Sequence, residues 1–332
     1  MVRTSQATID AVMARVRQTL VASAAGPYHQ VTFRAMSTPV RICFWQEHLP
    51  LAKDLQAAVV EWIATFEARY SRFISQSIVG QINAAAGGDW VELDEQTEQL
   101  LDMCDDMYSF TGGVFDAASL PLLRLWDWRA ASPRRPEAEA LAAARRVSGW
   151  DKVQRRPRAF RLPLPGMGID LGGIGKEFAV DQVMNLARAR GIKDMLVDIG
   201  QDLRVSGRPP MKDAWYIGLE EPDSAPNCWA CVRLTDHAVA TTGDYARSFI
   251  LDGRRYGHVV DPRTGEPVGN GCQAVTVVAS TCAMAGILST AAFILGPEQG
   301  LELIQRHDNA EGCITTDSAR HQTRRFSRHV PF

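Results

Sequence analysis

Apolar residues recur every three or four positions in several long segments, a spacing that places them on one face of an α-helix. Shorter segments rich in β-branched and aromatic residues have the pattern of strands. The predicted helices are 9–21, 51–68, 97–108, 136–147, 176–190, 282–295 and 298–306. The predicted strands are 31–33, 40–44, 195–199, 203–206, 215–219, 230–234, 238–241, 248–251, 256–260 and 274–279. Helices therefore dominate the first half of the chain and strands the second.

The strands between residues 195 and 279 follow one another through short turns, of which Asp252-Gly253 is a typical hairpin dipeptide. Consecutive strands without intervening helices indicate antiparallel pairing. We therefore predict an α+β fold, with mostly antiparallel sheets flanked by helices, rather than a doubly wound α/β fold. The polar, proline-rich segment 129–136 predicts a surface loop.

Composition narrows the functional classes. The 332 residues are 46% apolar and 22% charged, which is ordinary for a globular protein. The formal net charge is -2, so the chain lacks the basic surface that nucleic-acid binding requires, and we expect no nucleic-acid partner. Basic residues cluster at 320–328, which predicts a solvated terminus.

One stretch, 267–295, has no charged residue and is long enough to cross a membrane. It opens with the alternation of a strand and changes character near residue 280, so a buried strand followed by a buried helix is the better interpretation. The first residues have helical spacing interrupted by arginines, unlike a signal peptide, and no cysteine there could carry a lipid. We expect no membrane span and a cytoplasmic protein.

Seven cysteines, an odd number without disulfide-type spacing, indicate a reducing compartment. Cys228 and Cys231 form a lone CxxC motif. A zinc site would need a second pair of ligands, so two ordinary thiols are the preferred interpretation and a redox role stays open.

Residues 170–181 read DLGGIGKEFAVD, with a strand pattern before the glycines and a helix pattern from Lys176 onward. Glycines between a strand and a helix N-terminus let a ligand approach the backbone, where unpaired N–H groups favour an anion. A tight turn packed against a helix would need the same glycines. The Walker A motif does not fit, because Glu177 follows the lysine, and neither does GxGxxG, because Leu171 replaces its third glycine.

Three further clusters, 111–126, 240–249 and 256–268, combine glycine with Asp, Thr or His at predicted strand ends or turns. Binding and catalytic residues concentrate on such loops. Taken alone, His258 is more often a structural histidine, and 261–265 is a type I turn.

Together these clusters resemble the ApbE family, the FAD:protein FMN transferases. The similar segments are 33–38, 71–73, 77–83, 111–116, 170–176, 197–207, 240–245, 258–265 and 274–296. The resemblance implies an ApbE-like, T-fold-related architecture for residues 30–315. We expect residues 1–29 to form an N-terminal helical extension and residues 316–332 a basic tail.

Members of the family use Mg²⁺ to cleave the pyrophosphate of FAD, pass FMN to a threonine or serine of an acceptor flavoprotein, and release AMP. A diphosphate needs N–H donors, a cation and a metal, which agrees with the glycine turn and Lys176. Two alternatives stay open. The chain could bind FAD without transferring it, or it could be an FAD pyrophosphatase with water as the acceptor.

The resemblance also implies site residues. His258 would activate the acceptor hydroxyl or orient the phosphate, and the Gly173 carbonyl and Thr290 would bind the metal. The implied FAD contacts are Met36, Phe73, Val114, Phe115, Asp116, Asp170, Lys176 and Val260.

Two positions depart from the family pattern. Gly286 stands where the family has a metal-binding aspartate, and Glu177 stands where it has glycine. We hypothesise that Glu177 reaches the space left at Gly286 and supplies the missing carboxylate, since Mg²⁺ prefers hard oxygen ligands. The alternative is that Glu177 only stabilises the N-terminus of its helix.

Overall fold

The computed structural model describes residues 2–126, 134–222, 226–244, 248–251 and 253–331. The helices of this part are α1 (Gln6–Gln18), α2 (Leu49–Tyr70), α3 (Ile78–Ala84), α4 (Glu95–Phe110), α5 (Leu120–Leu123), α6 (Ala138–Arg146), α7 (Gly175–Arg188), α8 (Cys282–Leu295) and α9 (Pro297–Gln305). The strands of the first half are β1 (Val21–Ala25), β2 (Tyr28–Ala35), β3 (Thr38–Trp45), β4 (Val91–Glu92), β5 (Gln154–Arg156) and β6 (Ala159–Arg161). Those of the second half are β7 (Met195–Ile199), β8 (Asp202–Ser206), β9 (Trp215–Glu220), β10 (Cys228–Leu234), β11 (Ala238–Gly243), β12 (Ser248–Leu251), β13 (Arg254–Gly257), β14 (Cys272–Ala279), β15 (Glu311–Thr316) and β16 (Arg320–Gln322).

A nine-stranded sheet organises the molecule, in the order β1-β2-β3-β7-β8-β11-β14-β15-β16. Every neighbouring pair in it is antiparallel. Two hairpins, β9–β10 and β12–β13, and the small sheet β4-β6-β5 lie outside it. The α+β prediction is confirmed.

Side chains alternate between two cores, because successive residues of a strand point to opposite faces of the sheet. On β7, Met195 and Val197 belong to the large core beneath α1, α2 and α7, whereas Leu196 belongs to the core beneath the β9–β10 hairpin. A third core packs α8 and α9 against β14 and β15. Helices therefore cover one face of the main sheet and the β9–β10 hairpin covers part of the other.

The N-terminal segment differs from its prediction. α1 begins after Ser5, whose hydroxyl accepts a hydrogen bond from Thr8 N at 3.2 Å, and it ends at Gln18. Residues 21–25 then form the edge strand β1, so 1–29 is not a purely helical extension. All five residues of β1 are exposed, so the strand carries no alternation of apolar and polar positions by which to find it.

The C-terminal segment also differs from its prediction. We expected a solvated tail, but β16 pairs with β15 and Phe326 is fully buried in the core shared with β9 and β10. Glu311 on β15 accepts a hydrogen bond from Arg325 Nε at 2.8 Å. Most residues of this segment are polar or charged, but Phe326 is an apolar anchor whose burial holds the segment in place.

Phe326→Leu tests this anchor. We expect the free energy of unfolding to fall by about 1–2 kcal/mol, because leucine leaves part of the buried ring volume empty. Urea unfolding followed by tryptophan fluorescence measures the change. An unchanged midpoint would show that the segment contributes nothing to folding.

Two sequence interpretations concern loops and membranes. The charge-free stretch 267–295 contains β14 and α8, as predicted, and among the described residues no helix has the length and apolar character of a membrane span. Residues 129–133 of the predicted surface loop lie outside the described residues, as does Asp252 of the hairpin dipeptide. β12 and β13 nevertheless pair on either side of that dipeptide.

Candidate active site

The glycine turn lies directly before α7. Asp170 Oδ1 accepts a hydrogen bond from Gly172 N at 3.0 Å, and the carbonyl of Leu171 accepts one from Gly175 N at 2.6 Å. No side chain caps the first turn of α7. A side chain at Gly173 would begin 3.5 Å from the ring of Phe115, so the turn passes close to that ring. The backbone N–H groups of this turn form a natural site for an anion.

An aromatic surface stands beside the turn. Phe73 is 74% exposed, and the guanidinium of Arg72 lies 4.3 Å from the centre of its ring. Arg72 Nε also pairs with Asp170 Oδ2 at 3.0 Å. Burial nevertheless raises the pKa of the Asp170 carboxyl. The ion pair holds an exposed ring next to the anion-type turn, which suits a ligand with a flat ring and a phosphate.

Three charged side chains meet at the start of α7. Lys176 Nζ donates to Asp202 Oδ2 and lies 3.3 Å from Glu177 Oε1. The two carboxylates raise the pKa of Lys176, although burial opposes them, so the lysine is a fixed cation. The lysine contacts both carboxylates, so when both are ionised the cluster carries one negative charge in excess, which is available to another positive group.

Glu177 and Gly286 occupy one space. A side chain at Gly286 would place its Cβ 2.5 Å from Glu177 Cγ, closer than real atoms approach. Glu177 is 6% exposed, and its Oε2 atom has no hydrogen-bond partner among the described residues. The glycine on α8 is therefore what admits the glutamate of α7, and one buried carboxylate oxygen remains unsatisfied.

Asp181 fixes the register between α7 and α8. Its two carboxylate oxygens each accept a hydrogen bond at 2.9 Å, one from Cys282 N and the other from Ala283 N, which caps α8. Arg204 Nη1 donates to the same carboxylate at 2.8 Å. With Asp181 beside residue 282 and Glu177 beside residue 286, the two helices run antiparallel. Continuing this register one turn further along α8, we expect the segment before α7 to lie near Thr290.

Thr290 lies on the face of α8 that also carries Gly286, one helical turn away. Its hydroxyl contacts that of Thr242 at 3.0 Å, and Thr242 also contacts Ser289 Oγ at 2.8 Å. The end of β11 is thereby joined to the same face of α8. Oxygen atoms from both elements line this part of the site.

His258 follows the β12–β13 hairpin. The predicted strand 256–260 is wrong in its second half, because β13 ends at Gly257 and Val260 forms only an isolated bridge with Pro267. A side chain at Gly257 would begin 2.6 Å from Asp244 Cβ, so the chain must pass close to β11 just before His258. The histidine is half-buried at that end of the sheet.

Asp244 closes the far end of β11. Its Oδ1 accepts a hydrogen bond from Arg255 Nη2 at 2.8 Å, and burial raises the pKa of its carboxyl. Tyr245, the last residue of the similar segment 240–245, lies outside the described residues, as do residues 246 and 247.

The other predicted FAD contacts lie in several different parts of the fold. Met36 occupies the two-residue turn of the β2–β3 hairpin with a positive φ of 49°, and Val260 packs in a small cluster with Leu122 and Trp126. Val114 is buried with α8, whereas Phe115 is buried in the large core. Contacts with the glycine turn are shown for Phe115 alone among these residues.

The carboxylate of Asp116 is bound by backbone N–H groups. Its Oδ1 accepts from Ala118 N at 2.7 Å and its Oδ2 from Trp150 N at 3.2 Å, so backbone groups occupy both oxygens. Burial raises the pKa of this carboxyl. The side chain holds the loop before α5 in shape, and its part in FAD binding stays a prediction.

Sequence reasoning missed Arg72, Asp181 and Asp202 as site residues. Arg72 and Asp202 lie within the similar segments 71–73 and 197–207, and Asp181 closes the quoted stretch 170–181, so all three were visible as charged residues. The pairing of Asp202 with Lys176 carried no local signal, because the two are 26 residues apart.

Glu177 should make the stability of the metal-free protein depend on pH. Burial, opposed by Lys176, raises the pKa of Glu177 to about 7 from an ordinary value of 4.5. Since the folded state binds this proton more tightly, the contribution is fully present below pH 4.5 and is lost as the pH rises through about 7. We expect Glu177→Gln to remove this fall in the free energy of unfolding. Urea unfolding at stepped pH tests it, and identical pH profiles would contradict it.

The sequence of this chain is similar to known proteins along most of its length. The model of the ApbE family matches residues 36–314. A FAD:protein FMN transferase of Vibrio cholerae serotype O1 is 27% identical over 257 residues, which are 76% of this chain and 77% of that protein. The FAD:protein FMN transferase of Escherichia coli K12 is 30% identical over 217 residues, 62% of this chain and 61% of that protein.

Solved structures agree with the sequence relatives. The crystal structure of the ApbE protein from Thermotoga maritima superposes with a TM-score of 0.84 at 28% identity, covering 92% of this chain and 100% of that one. The flavin transferase ApbE from Vibrio cholerae gives a TM-score of 0.81 at 26% identity, covering 91% and 100%. Because the family model matches most of the chain and the folds superpose over nearly all of it, the protein belongs to the ApbE family.

Proposed function

We propose that the protein transfers FMN from FAD to the hydroxyl of a threonine or serine on an acceptor protein, forming a phosphoester bond and releasing AMP, with Mg²⁺ as the metal. The observation that carries this proposal is the α7–α8 register. It brings Glu177, which follows the glycine turn and Lys176, against Gly286, one helical turn before Thr290, in a chain of the ApbE family. The cytoplasmic location stays a prediction.

The residues present fit Mg²⁺. Among the described residues no three His, Cys, Asp or Glu side chains group as a metal site, so a mixed set is needed. The unsatisfied Glu177 Oε2, the Thr290 hydroxyl and the Gly173 carbonyl would hold the ion, and Mg²⁺ usually completes its shell with water and phosphate oxygens. When bound, Mg²⁺ would neutralise charge on the diphosphate.

The chain's own groups would position the reactants, which is most of catalysis in phosphoryl transfer. The N–H groups of the glycine turn would bind diphosphate oxygens, and Lys176, kept charged by its two carboxylates, would face the same negative charge. Phe73, braced by Arg72, would stack on the isoalloxazine ring. His258 would accept the proton of the acceptor hydroxyl.

One incubation tests the proposed function. The protein, FAD and Mg²⁺ are combined with a flavin-acceptor domain, or with the same domain carrying valine in place of its acceptor threonine. AMP release and an FMN-sized mass gain on the threonine domain alone would support transfer. AMP without an adduct would instead support a pyrophosphatase, and FAD binding without AMP would support a binding protein that has lost the chemistry.

A further inference from the structure

The CxxC motif lies on the β9–β10 hairpin, and its strand register is unusual. Cys228 is opposite Glu220, Cys231 is opposite Gly218, and the register shifts between Cys228 and Ala230. Two residues three positions apart on a regular strand point to opposite faces. The extra residue of the bulge, Trp229, removes that difference.

Burial along β9 and β10 shows which face of the hairpin each residue occupies. Trp215, Leu219 and Val232 face the core under the hairpin, whereas Gly218 and its partner Cys231 belong to the outer row. Glu220 and its partner Cys228 occupy the same outer row, and Cys228 is exposed. Both thiols therefore lie on the outer face of the hairpin, at adjacent positions of one row.

Their separation suits a disulfide. Glu220 and Gly218 are two residues apart on β9, which corresponds to about 6.6 Å between the Cα atoms of their partners, and disulfides span about 4.4–6.8 Å. Cys228 Sγ leans toward Cys231, because a Cβ at Gly218, the residue opposite Cys231, would lie 2.6 Å from that sulfur. The missing side chain at Gly218 opens the space between the two thiols.

The bulge is held in place by specific contacts. The guanidinium of Arg320 on β16 lies 4.5 Å from the centre of the Trp229 ring and donates to both carboxylate oxygens of Glu221 at 2.6 Å. Glu220, opposite Cys228, also accepts a hydrogen bond from Gln201 Nε2 at 3.2 Å, and Gln201 precedes Asp202 of the candidate active site. The arrangement is part of the fold and adjoins the turn that holds Lys176.

We propose that Cys228 and Cys231 form a reversible dithiol–disulfide site. The thiolate of Cys228 attacks a small disulfide such as glutathione disulfide and releases one glutathione thiol. The Cys231 thiolate then attacks Cys228 Sγ and releases the second. Two protein thiols are oxidised to one disulfide, glutathione disulfide is reduced to two thiols, and the two protons from the cysteines end on the released glutathiones.

Alkylation and mass spectrometry test the site. The native protein is incubated with glutathione disulfide, alkylated with iodoacetamide and mapped by peptide mass. We expect residues 228 and 231 to resist alkylation, their peptide to lose two hydrogens, and dithiothreitol to reverse both effects. The other five cysteines are buried, so native alkylation reports on this pair.

Two variants sharpen the result. Cys231→Ser should keep glutathione on Cys228, at least about tenfold more than the native chain, because the intramolecular displacement is lost. Gly218→Ala should slow closure by crowding the Cys228 sulfur. Stable glutathione on Cys228 of the native chain, or full alkylation of both cysteines after incubation, would overturn the proposal.

Discussion

Glu177→Gln is expected to weaken divalent metal binding by about 100-fold, while the protein folds normally. Glutamine keeps the size that fills the space at Gly286 but removes the charge of the only carboxylate proposed for the metal. EPR titration with Mn²⁺ as the probe measures this binding without any turnover. Adding ADP supplies the diphosphate without a flavin to transfer. Unchanged Mn²⁺ affinity would leave Glu177 with only its role at the helix N-terminus.

Moving the carboxylate from position 177 back to position 286 tests the same hypothesis. Gly286→Asp alone should be destabilising by about 3–5 kcal/mol, because its Cβ would lie 2.5 Å from Glu177 Cγ and a second buried carboxylate would be added. The double variant Glu177→Gly/Gly286→Asp should recover much of that loss and bind Mn²⁺ again. The cycle should show a coupling free energy of about 2–3 kcal/mol.

Two outcomes of this cycle would contradict the hypothesis that Glu177 fills the space at Gly286 and binds the metal. Additive effects on the free energy of unfolding would show that the two side chains do not share one space. A double variant that folds but binds no Mn²⁺ would show that a carboxylate here does not serve the metal.

Asp181→Ala should have the second large effect, a fall in the free energy of unfolding. The substitution leaves Arg204 buried without its anion and removes the acceptor for Cys282 N and Ala283 N at the start of α8. Removing one partner of a buried ion pair costs about 3–5 kcal/mol. Urea unfolding followed by far-ultraviolet circular dichroism measures the change in the free energy of unfolding.

A matched control distinguishes this buried pair from an exposed one. Asp213 pairs with Arg233 Nε at 3.1 Å, and both side chains are exposed. Asp213→Ala should leave the free energy of unfolding nearly unchanged, because an exposed ion pair contributes little. If both variants lost the same free energy of unfolding, burial of the Asp181–Arg204 pair would not be the reason for its contribution.

Local patterns predicted much of the fold. The helical spacing predicted α2, α7 and α8, and consecutive short strands predicted antiparallel pairing, because both signals depend on neighbours in the chain. α3 and the small sheet of β4, β5 and β6 were missed, since they are short and rest on contacts with distant segments. The buried Phe326 was missed because one apolar residue among arginines carries no periodic signal.

The sequence by itself determined the α+β class, the glycine turn before a helix, the family, and the loss of one carboxylate at Gly286 with the gain of another at Glu177. Only the tertiary structure decided that these two positions touch, since 286 and 177 lie far apart in the chain and meet through the packing of α7 on α8. It likewise decided that Asp202 holds Lys176 and that a bulge at Trp229 turns two cysteines to one face. Periodicity records which face of an element is buried, but not which element buries it.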